Sequence, residues 1–197
     1  MYIHQTFVFL HFPRTGGTYI SRNVLPANGY KLALNMAGRN GHNGVDQIPS
    51  NSKNVPIFGL IRNPWDWYVS WHTYSKKILK LNDDFKTAIM SQFKSKPIIG
   101  YNTELYIGMY YGGNAIKQYK EQKTLPNTSA YIGKTENLQI VVQDFFQKNF
   151  QKTLTFPDKR VNTTNKNPDY KVYYDNELKE IIQQRDELII KTYGYTY

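Results

Sequence analysis

The sequence predicts an α/β fold of three layers, in which a mostly parallel central sheet is flanked by helices. Two stretches begin as continuous apolar runs and then change into turn residues and a helical pattern: FVFLHF at 7–12 and PIFGLI at 56–61. Continuous apolar runs are typical of strands buried in a parallel sheet. Strands that alternate with helices imply an α/β fold.

The helices are predicted from a start signal and from apolar spacing. Pro64 opens the segment PWDWYVSWHTYSKKIL, 64–79, because proline suits the first turn of a helix. Segment 35–56 is dense in Gly, Asn and Ser, and we expect a long loop there. Two later segments carry apolar residues at helical spacing, which indicates two core-facing helices. Their stripes are Leu138, Val141, Val142 and Phe145, and Leu178, Ile181, Ile182 and Ile189.

Charge and composition limit the functions open to the chain. Its 25 lysines and arginines exceed its 15 acidic residues, and the net charge of +10 favours an anionic ligand, substrate or surface. The absence of cysteine excludes disulfides, zinc–thiolate sites and a cysteine nucleophile. At 197 residues the chain has the size of one domain, 1–197, without an apolar stretch of membrane-spanning length. We expect a soluble protein without membrane insertion, and its format suggests the cytoplasm of a bacterium or virus-infected cell.

The turn after the first strand has the features of a phosphate-binding loop. Gly16 and Gly17 let the backbone approach a ligand closely, and the N–H groups of Thr15 to Thr18 point at an oxyanion if a helix begins there. A Walker A loop has a lysine where Gly17 stands, and a Walker B strand ends in an aspartate where IFGLI ends at Arg62. The loop is therefore P-loop-like, and a magnesium-dependent nucleotide triphosphatase is disfavoured.

A second anion site is predicted where the second strand ends. Arg62 follows the strand, and Ser70 lies about two turns into the next helix, so both can reach one phosphate. In α/β sheets the ligand binds beyond the carboxyl ends of the strands, which puts both sites at one edge. We therefore expect a ligand with two separated anionic groups.

In this order the two motifs resemble those of sulfotransferases that use 3′-phosphoadenosine-5′-phosphosulfate (PAPS), particularly the branch that includes carbohydrate sulfotransferases. HFPRTGGTYIS is similar to the 5′-phosphosulfate loop P-K-T-G-G-T-[ST], and LIRNPWDWYVSWHTY is similar to the 3′-phosphate motif R-[ND]-P-x-x-R-x-x-S. YIGKTENLQIVVQDF resembles G-[RK]-x-E-[ND]-L-x-x-D-[FL], and the stretch from VNTT to TYGY resembles the C-terminal segment of the family. The four segments span residues 7 to 195.

The resemblance implies a role for each matching residue. Residues that hold the 5′-phosphosulfate are Arg14, Thr15, Gly16, Gly17, Thr18 and Tyr19; those that hold the 3′-phosphate are Arg62 and Ser70; and the loop over the nucleotide has Lys159, Arg160, Asn162 and Lys166. This sequence departs from the family twice, with Arg14 for the catalytic lysine and Trp67 for the second arginine of the 3′-phosphate motif. Arginine keeps the charge needed by the leaving phosphate but does not donate a proton at neutral pH.

The acceptor hydroxyl needs a base, for which the resemblance points to the loop between the two phosphate motifs. His42 is the first candidate there, because imidazole titrates near neutral pH. Asp46 and Glu104 are held in reserve. We expect a structural role for His11, and His4 and His72 have no comparable context.

The sequence thus predicts a PAPS-dependent sulfotransferase that acts on a hydroxyl-bearing acceptor, a saccharide, without a metal ion. Two alternatives stay open. A small-molecule or nucleotide kinase with a degenerate loop is disfavoured because both the lysine and the acidic metal ligand are missing. A basic nucleic-acid-binding protein would suit the net charge and the aromatic content, but it gives no reason for the paired motifs, so no nucleic acid is expected.

Overall fold

A computed structural model of the protein describes residues 1–31, 33–34, 42–80, 82–95, 99–158 and 167–197. The chain divides into two compact units. The first comprises Met1–Ile61 with Tyr106–Asn162, and the second comprises Arg62–Leu105 with Thr163–Tyr197.

The first unit contains a five-stranded sheet, with strand order β3-β1-β2-β4-β5. The strands are β1 (Tyr2–Ile3), β2 (Val8–Leu10), β3 (Ala33–Leu34), β4 (Ile57–Ile61) and β5 (Ala130–Lys134). Strands β2, β4 and β5 are parallel neighbours, whereas β1 pairs antiparallel with both β2 and β3. The sheet is therefore mixed: its longer pairings are parallel, as the sequence predicts, and its antiparallel pairings are two-residue additions at one side.

The helices have the following bounds. They are α1 (Gly17–Tyr19), α2 (Leu25–Ala27), α3 (Pro64–Leu79), α4 (Phe85–Ser95), α5 (Tyr101–Tyr110), α6 (Gly113–Gln122), α7 (Leu138–Phe150), α8 (Asn176–Arg185) and α9 (Glu187–Tyr193). A π-helix, Ile20–Val24, joins α1 to α2 without a gap, so the chain from 17 to 27 is one helical segment. Segment 35–56 is described from 42 onward and contains the 3₁₀ turns Val45–Gln47 and Ser50–Ser52.

Helices flank both faces of the sheet in the first unit. On one face, strand residues such as Phe9 and Phe58 are buried against α7, where the Phe58 and Phe145 rings lie 4.5 Å apart. On the other face, Tyr110 covers Gly59 so closely that a Cβ at Gly59 would overlap its ring. The predicted α/β class is confirmed, and the apolar stripe of α7 has the predicted core-facing role.

The second unit is built around α3, whose bounds match the predicted helix. Asn63 caps it by accepting a hydrogen bond from the Trp65 N–H at 3.1 Å, and Pro64 occupies the first turn. The predicted stripe 178–189 forms two helices rather than one, because the chain breaks at Asp186 between α8 and α9. No helix in the described ranges is long and apolar enough to span a membrane.

Candidate functional site

The turn between β2 and α1 needs both of its glycines, for different reasons. Gly16 has a φ of +77°, a left-handed conformation that glycine adopts without strain, and a Cβ there would lie 2.8 Å from the Leu138 side chain. Gly17 has no space for a Cβ at all, because it would overlap the His11 imidazole. The loop backbone is therefore packed between α7 and the end of β2.

Two features of the backbone suit this turn to an anion. The first hydrogen bond of the helical segment runs from the Tyr19 N–H to the Gly16 carbonyl at 2.9 Å, so the N–H groups of Gly17 and Thr18 precede the helical ladder. Arg14 has a φ of +64°, a conformation that costs a non-glycine residue energy and that is concentrated at functional sites.

Two of the predicted loop side chains have structural partners. The Thr15 hydroxyl is buried and donates to the Phe12 carbonyl at 2.8 Å, so any contact of Thr15 with a ligand is through its backbone. The Tyr19 hydroxyl donates to the Pro157 carbonyl at 2.6 Å, and its ring packs against the hydrophobic core. The assignment of Tyr19 to the phosphosulfate stays a prediction, and the structure gives its hydroxyl another role.

The loop lies at the carboxyl end of β2, and β4 is the parallel neighbour of that strand. Leu10 of β2 is level with Gly59, so both strands run toward the same sheet edge. At the end of β4, Ile61 is level with Lys134 of β5, and Arg62 is the next residue of the chain.

In the second unit, Arg62 lies two residues before the start of α3, and Ser70 lies about two turns into that helix. Asp66, in the first turn of α3, accepts a hydrogen bond from the Arg62 Nε at 2.7 Å. Both partners of this ion pair are only 17% exposed, so the carboxylate holds the guanidinium in a defined direction. Ser70 is buried.

Trp67 stands where the 3′-phosphate motif that the sequence resembles has its second arginine. Trp67 is fully buried, with its ring centroid 5.1 Å from that of Tyr68 and 6.0 Å from that of Tyr101. The position serves the aromatic core of the second unit. An arginine there would bury a charge among rings, which costs free energy unless the charge is paired.

His42 lies against His11 in the first unit, with ring centroids 4.9 Å apart. Its Nδ1 is 2.8 Å from the His11 carbonyl oxygen. Since a carbonyl only accepts, Nδ1 carries the proton, and the lone pair of the neutral ring is on Nε2. Burial lowers the pKa of His42 below the ordinary 6.5, although the bond to the His11 carbonyl acts in the opposite direction. His42 is therefore held as a neutral imidazole with a basic Nε2.

His11 is neutral at physiological pH and is a weaker base than an ordinary imidazole. Burial, reinforced by the neighbouring His42, lowers the pKa of His11 to about 3. Its ring instead fills the space beside Gly17, which agrees with the expected structural role.

Three other titratable side chains, those of Asp46, His72 and His4, have hydrogen bonds within the protein. Asp46 accepts a hydrogen bond from the Gly113 N–H at 2.7 Å and so caps the first turn of α6. Glu104 stands in the first turn of α5 in the second unit. His72 Nε2 donates to the Asp83 carbonyl at 3.1 Å, and His4 bonds Thr6. Lys159, Arg160, Asn162 and Lys166 lie outside the described residues, so their predicted contacts with the nucleotide stay predictions.

The junction of β5 and α7 packs against the loop, and the sequence did not predict this contact. Thr135 donates its hydroxyl to the Thr15 carbonyl at 3.3 Å, and Leu138 lies against Gly16. The motif GKTENL indicated the importance of this stretch, but Leu138 was assigned only to the core stripe. The contact links residues 120 positions apart, a separation that a local pattern does not reveal.

No known protein-family model matches the chain, and no curated protein matches its sequence. Within the described ranges, no group of three or more His, Asp and Glu side chains is arranged to hold a metal ion.

Proposed function

We propose that the protein is a sulfotransferase that transfers the sulfuryl group of PAPS to an acceptor hydroxyl, as one P-loop-like domain spanning 1–197. The observation that carries the proposal is the loop at the carboxyl end of β2. Its two glycines leave space only for backbone, and the N–H groups of Gly17 and Thr18 open a helical segment. That arrangement suits an anionic oxygen and needs no side chain for recognition.

The reaction proposed for this site is a single displacement at sulfur. The acceptor oxygen attacks the sulfur, the bond between sulfur and the bridging oxygen of the 5′-phosphate breaks, and 3′-phosphoadenosine-5′-phosphate leaves. The hydroxyl proton passes to Nε2 of His42, which the bond to the His11 carbonyl leaves unprotonated. His42 then returns its proton to water.

Arg14 stabilises the negative charge that develops on the leaving 5′-phosphate. Its charge is permanent and its donors are several, so it replaces the electrostatic part of the family's lysine but not proton donation. The migrating sulfuryl carries fewer negative oxygens than a phosphoryl group, and loop amides with one arginine suffice for it. We therefore propose transfer without a metal ion.

Arg62 and Ser70 bind the 3′-phosphate in this proposal. A guanidinium that Asp66 already orients loses less conformational entropy on binding than a mobile one. The Ser70 hydroxyl, about two turns into α3, adds one hydrogen bond. The acceptor is proposed to be a saccharide, and the location is proposed to be the cytoplasm of a bacterium or virus-infected cell.

Ligand-dependent melting tests the proposal against its alternatives. 3′-Phosphoadenosine-5′-phosphate should raise the melting temperature strongly, ATP with magnesium should raise it little, and oligonucleotides should act only at low salt. Stabilisation by ATP with magnesium alone would favour a kinase. Stabilisation by oligonucleotides at physiological salt would favour a nucleic-acid-binding protein.

The matched variants for this test are two glycine substitutions. Gly16→Ala introduces a Cβ at a φ of +77° and 2.8 Å from the Leu138 side chain, so it should abolish the response to the nucleotide. Gly29→Ala also replaces a glycine of positive φ, +81°, but nothing lies within 4 Å of its Cβ position, and it should keep the response. Loss of the response in both variants would mean that backbone strain, rather than the loop, is responsible.

A further inference from the structure

Asp186 is a fully buried acid at the joint between α8 and α9 in the second unit. Its Oδ1 accepts two hydrogen bonds from Thr103, one from the N–H at 2.8 Å and one from the hydroxyl at 2.6 Å. Thr103 stands in the first turn of α5, where helical N–H groups have no acceptor within the helix. Asp186 therefore caps α5 from another part of the chain.

The backbone at Gly100 packs closely against the Asp186 carboxyl. A Cβ at Gly100 would overlap both carboxyl oxygens, and the Gly100 N–H donates to the Arg185 carbonyl at 2.9 Å. The residue before α5 and the residue before Asp186 are thus bonded through their backbones. The α8–α9 joint and the start of α5 form one contact with Asp186 at its centre.

The titratable groups that face Asp186 come from three segments. Tyr68 of α3 places its hydroxyl beside the carboxyl, Arg185 of α8 adds a positive charge, and Tyr174 lies ahead of α8. Within the described residues, no hydrogen bond of good geometry reaches Oδ2 of Asp186, although the Tyr68 hydroxyl lies beside the carboxyl. A buried charge with one unsolvated oxygen is costly. Burial accordingly raises the pKa of Asp186 from 3.8 to about 6, against the lowering effects of Thr103 and Tyr68.

Asp84 provides an internal comparison, because it caps α4 with the same chemistry. It accepts hydrogen bonds from the Thr87 N–H at 3.0 Å and from the Thr87 hydroxyl at 2.7 Å. Asp84 is exposed, and there the bonds from Thr87 lower the pKa of the carboxyl. The hydrogen-bond donors are alike at the two carboxyls, so burial accounts for the pKa of Asp186 being raised where that of Asp84 is lowered.

We propose that Asp186 is a proton-operated latch, which holds the α8–α9 joint against the first turn of α5 while the carboxyl is neutral and releases it as the carboxyl ionises. The latched state binds the proton more tightly than an open state in which Asp186 is solvated. Opening is therefore most strongly suppressed below pH 3.8, and the suppression is lost as pH rises to about 6. The interval of about two pKa units corresponds to a roughly 100-fold rise in the opening constant. The latch does not depend on the proposed sulfotransferase activity.

Amide hydrogen exchange of the intact protein at Thr103 tests the latch. After correction for the intrinsic pH dependence of exchange, Thr103 protection should fall by up to about 100-fold between pH 4 and pH 7. Asp186→Asn keeps an oxygen acceptor but cannot ionise, so it should abolish this fall. Asp84→Asn is the matched control and should leave the fall at Thr103 unchanged. An Asp186→Asn protein with the same fall as the native protein would overturn the latch.

Direct titration of the Asp186 carboxyl by carbon NMR decides the matter in the native protein, even if Asp186→Asn fails to fold. A midpoint near pH 6 supports the latch, and a midpoint at or below pH 4 overturns it. In the native protein the hydrogen bond from the Thr103 hydroxyl lowers the pKa of Asp186. Thr103→Val removes this bond and should therefore move the titration midpoint of Asp186 upward.

Discussion

The Nδ1 of His42 donates to the carbonyl oxygen of His11 across 2.8 Å, and this bond fixes which nitrogen of His42 is basic. The His11 ring meanwhile occupies the space that a side chain at Gly17 would need. The candidate base and the candidate anion loop are thus arranged around one residue. A change at His11 should disturb both, whereas a change at His42 should disturb only the chemistry.

His42→Ala should reduce sulfuryl transfer by roughly 10²- to 10⁴-fold, because it removes the group that we propose accepts the hydroxyl proton. Nucleotide affinity, measured separately by calorimetry, should change little. His4→Ala is the control, since that ring bonds Thr6 rather than the His11 carbonyl, and it should keep full turnover. Equal turnover in His42→Ala and native protein would remove His42 from the mechanism.

The pH profile of turnover follows from the lowered pKa of His42. A base acts when unprotonated, so activity should rise with pH through one ionisation whose midpoint lies below the ordinary 6.5. The pH dependence of kcat/KM for PAPS across pH 4 to 8 measures it, because kcat/KM reports the ionisations of the free enzyme. A midpoint above 6.5, or a profile unchanged in His42→Ala, would contradict the assignment.

Two substitutions at Arg14 separate the effect of its charge from the effect of its backbone conformation. Both remove the charge, but the φ of +64° suits glycine better than alanine. Arg14→Gly and Arg14→Ala should both lose turnover far more than nucleotide affinity, as expected for a group that acts in the transition state. Arg14→Gly should also be the more stable of the two by about 1 kcal/mol, measured by denaturant unfolding. Nucleotide binding lost in step with turnover would make Arg14 a ground-state contact instead.

The same preparation tests metal independence. Transfer by the native protein should persist in excess chelator, since loop amides and Arg14 supply the electrostatic stabilisation. Activity that chelator abolishes and magnesium restores would favour the kinase alternative.

The sequence predicted the α/β class and the long helices because their signals are local. Pro64 after a buried run marks the start of α3, and the stripe that includes Val142 marks the buried face of α7. The break at Asp186 was not predicted, because the apolar stripe of 178–189 continues on both sides of it. At the break, Asp186 accepts a buried hydrogen bond from Thr103, 83 residues away.

The sequence also predicted the local features of the candidate site, but not its tertiary contacts. The glycines of the loop follow from their motif, but the contact of Gly17 with His11 depends on how the strand end folds back. The sequence offers Asp46 as a reserve base, and its bond to Gly113, 67 residues away, also makes it a helix cap. The partner of a polar side chain is decided by tertiary packing, which a single sequence does not display.

The 3′-phosphate assignment predicts graded losses of affinity. Arg62→Ala should weaken the binding of 3′-phosphoadenosine-5′-phosphate by about 3 kcal/mol, since it removes a partly buried charged contact, and Ser70→Ala should weaken it by about 1 kcal/mol. Lys117→Ala, an exposed cation on α6, controls for net charge and should have no effect. An unchanged affinity in a folded Arg62→Ala protein would remove the 3′-phosphate site.

Calorimetric titration of the native protein with 3′-phosphoadenosine-5′-phosphate and, separately, with adenosine-5′-phosphate tests directly whether the protein recognises the PAPS nucleotide. We expect clear binding of the first nucleotide and binding of the second that is weaker by at least 100-fold, or about 2.7 kcal/mol, because only the first carries the 3′-phosphate assigned to Arg62. No binding of 3′-phosphoadenosine-5′-phosphate, or equal binding of the two nucleotides, would contradict a PAPS-dependent sulfotransferase.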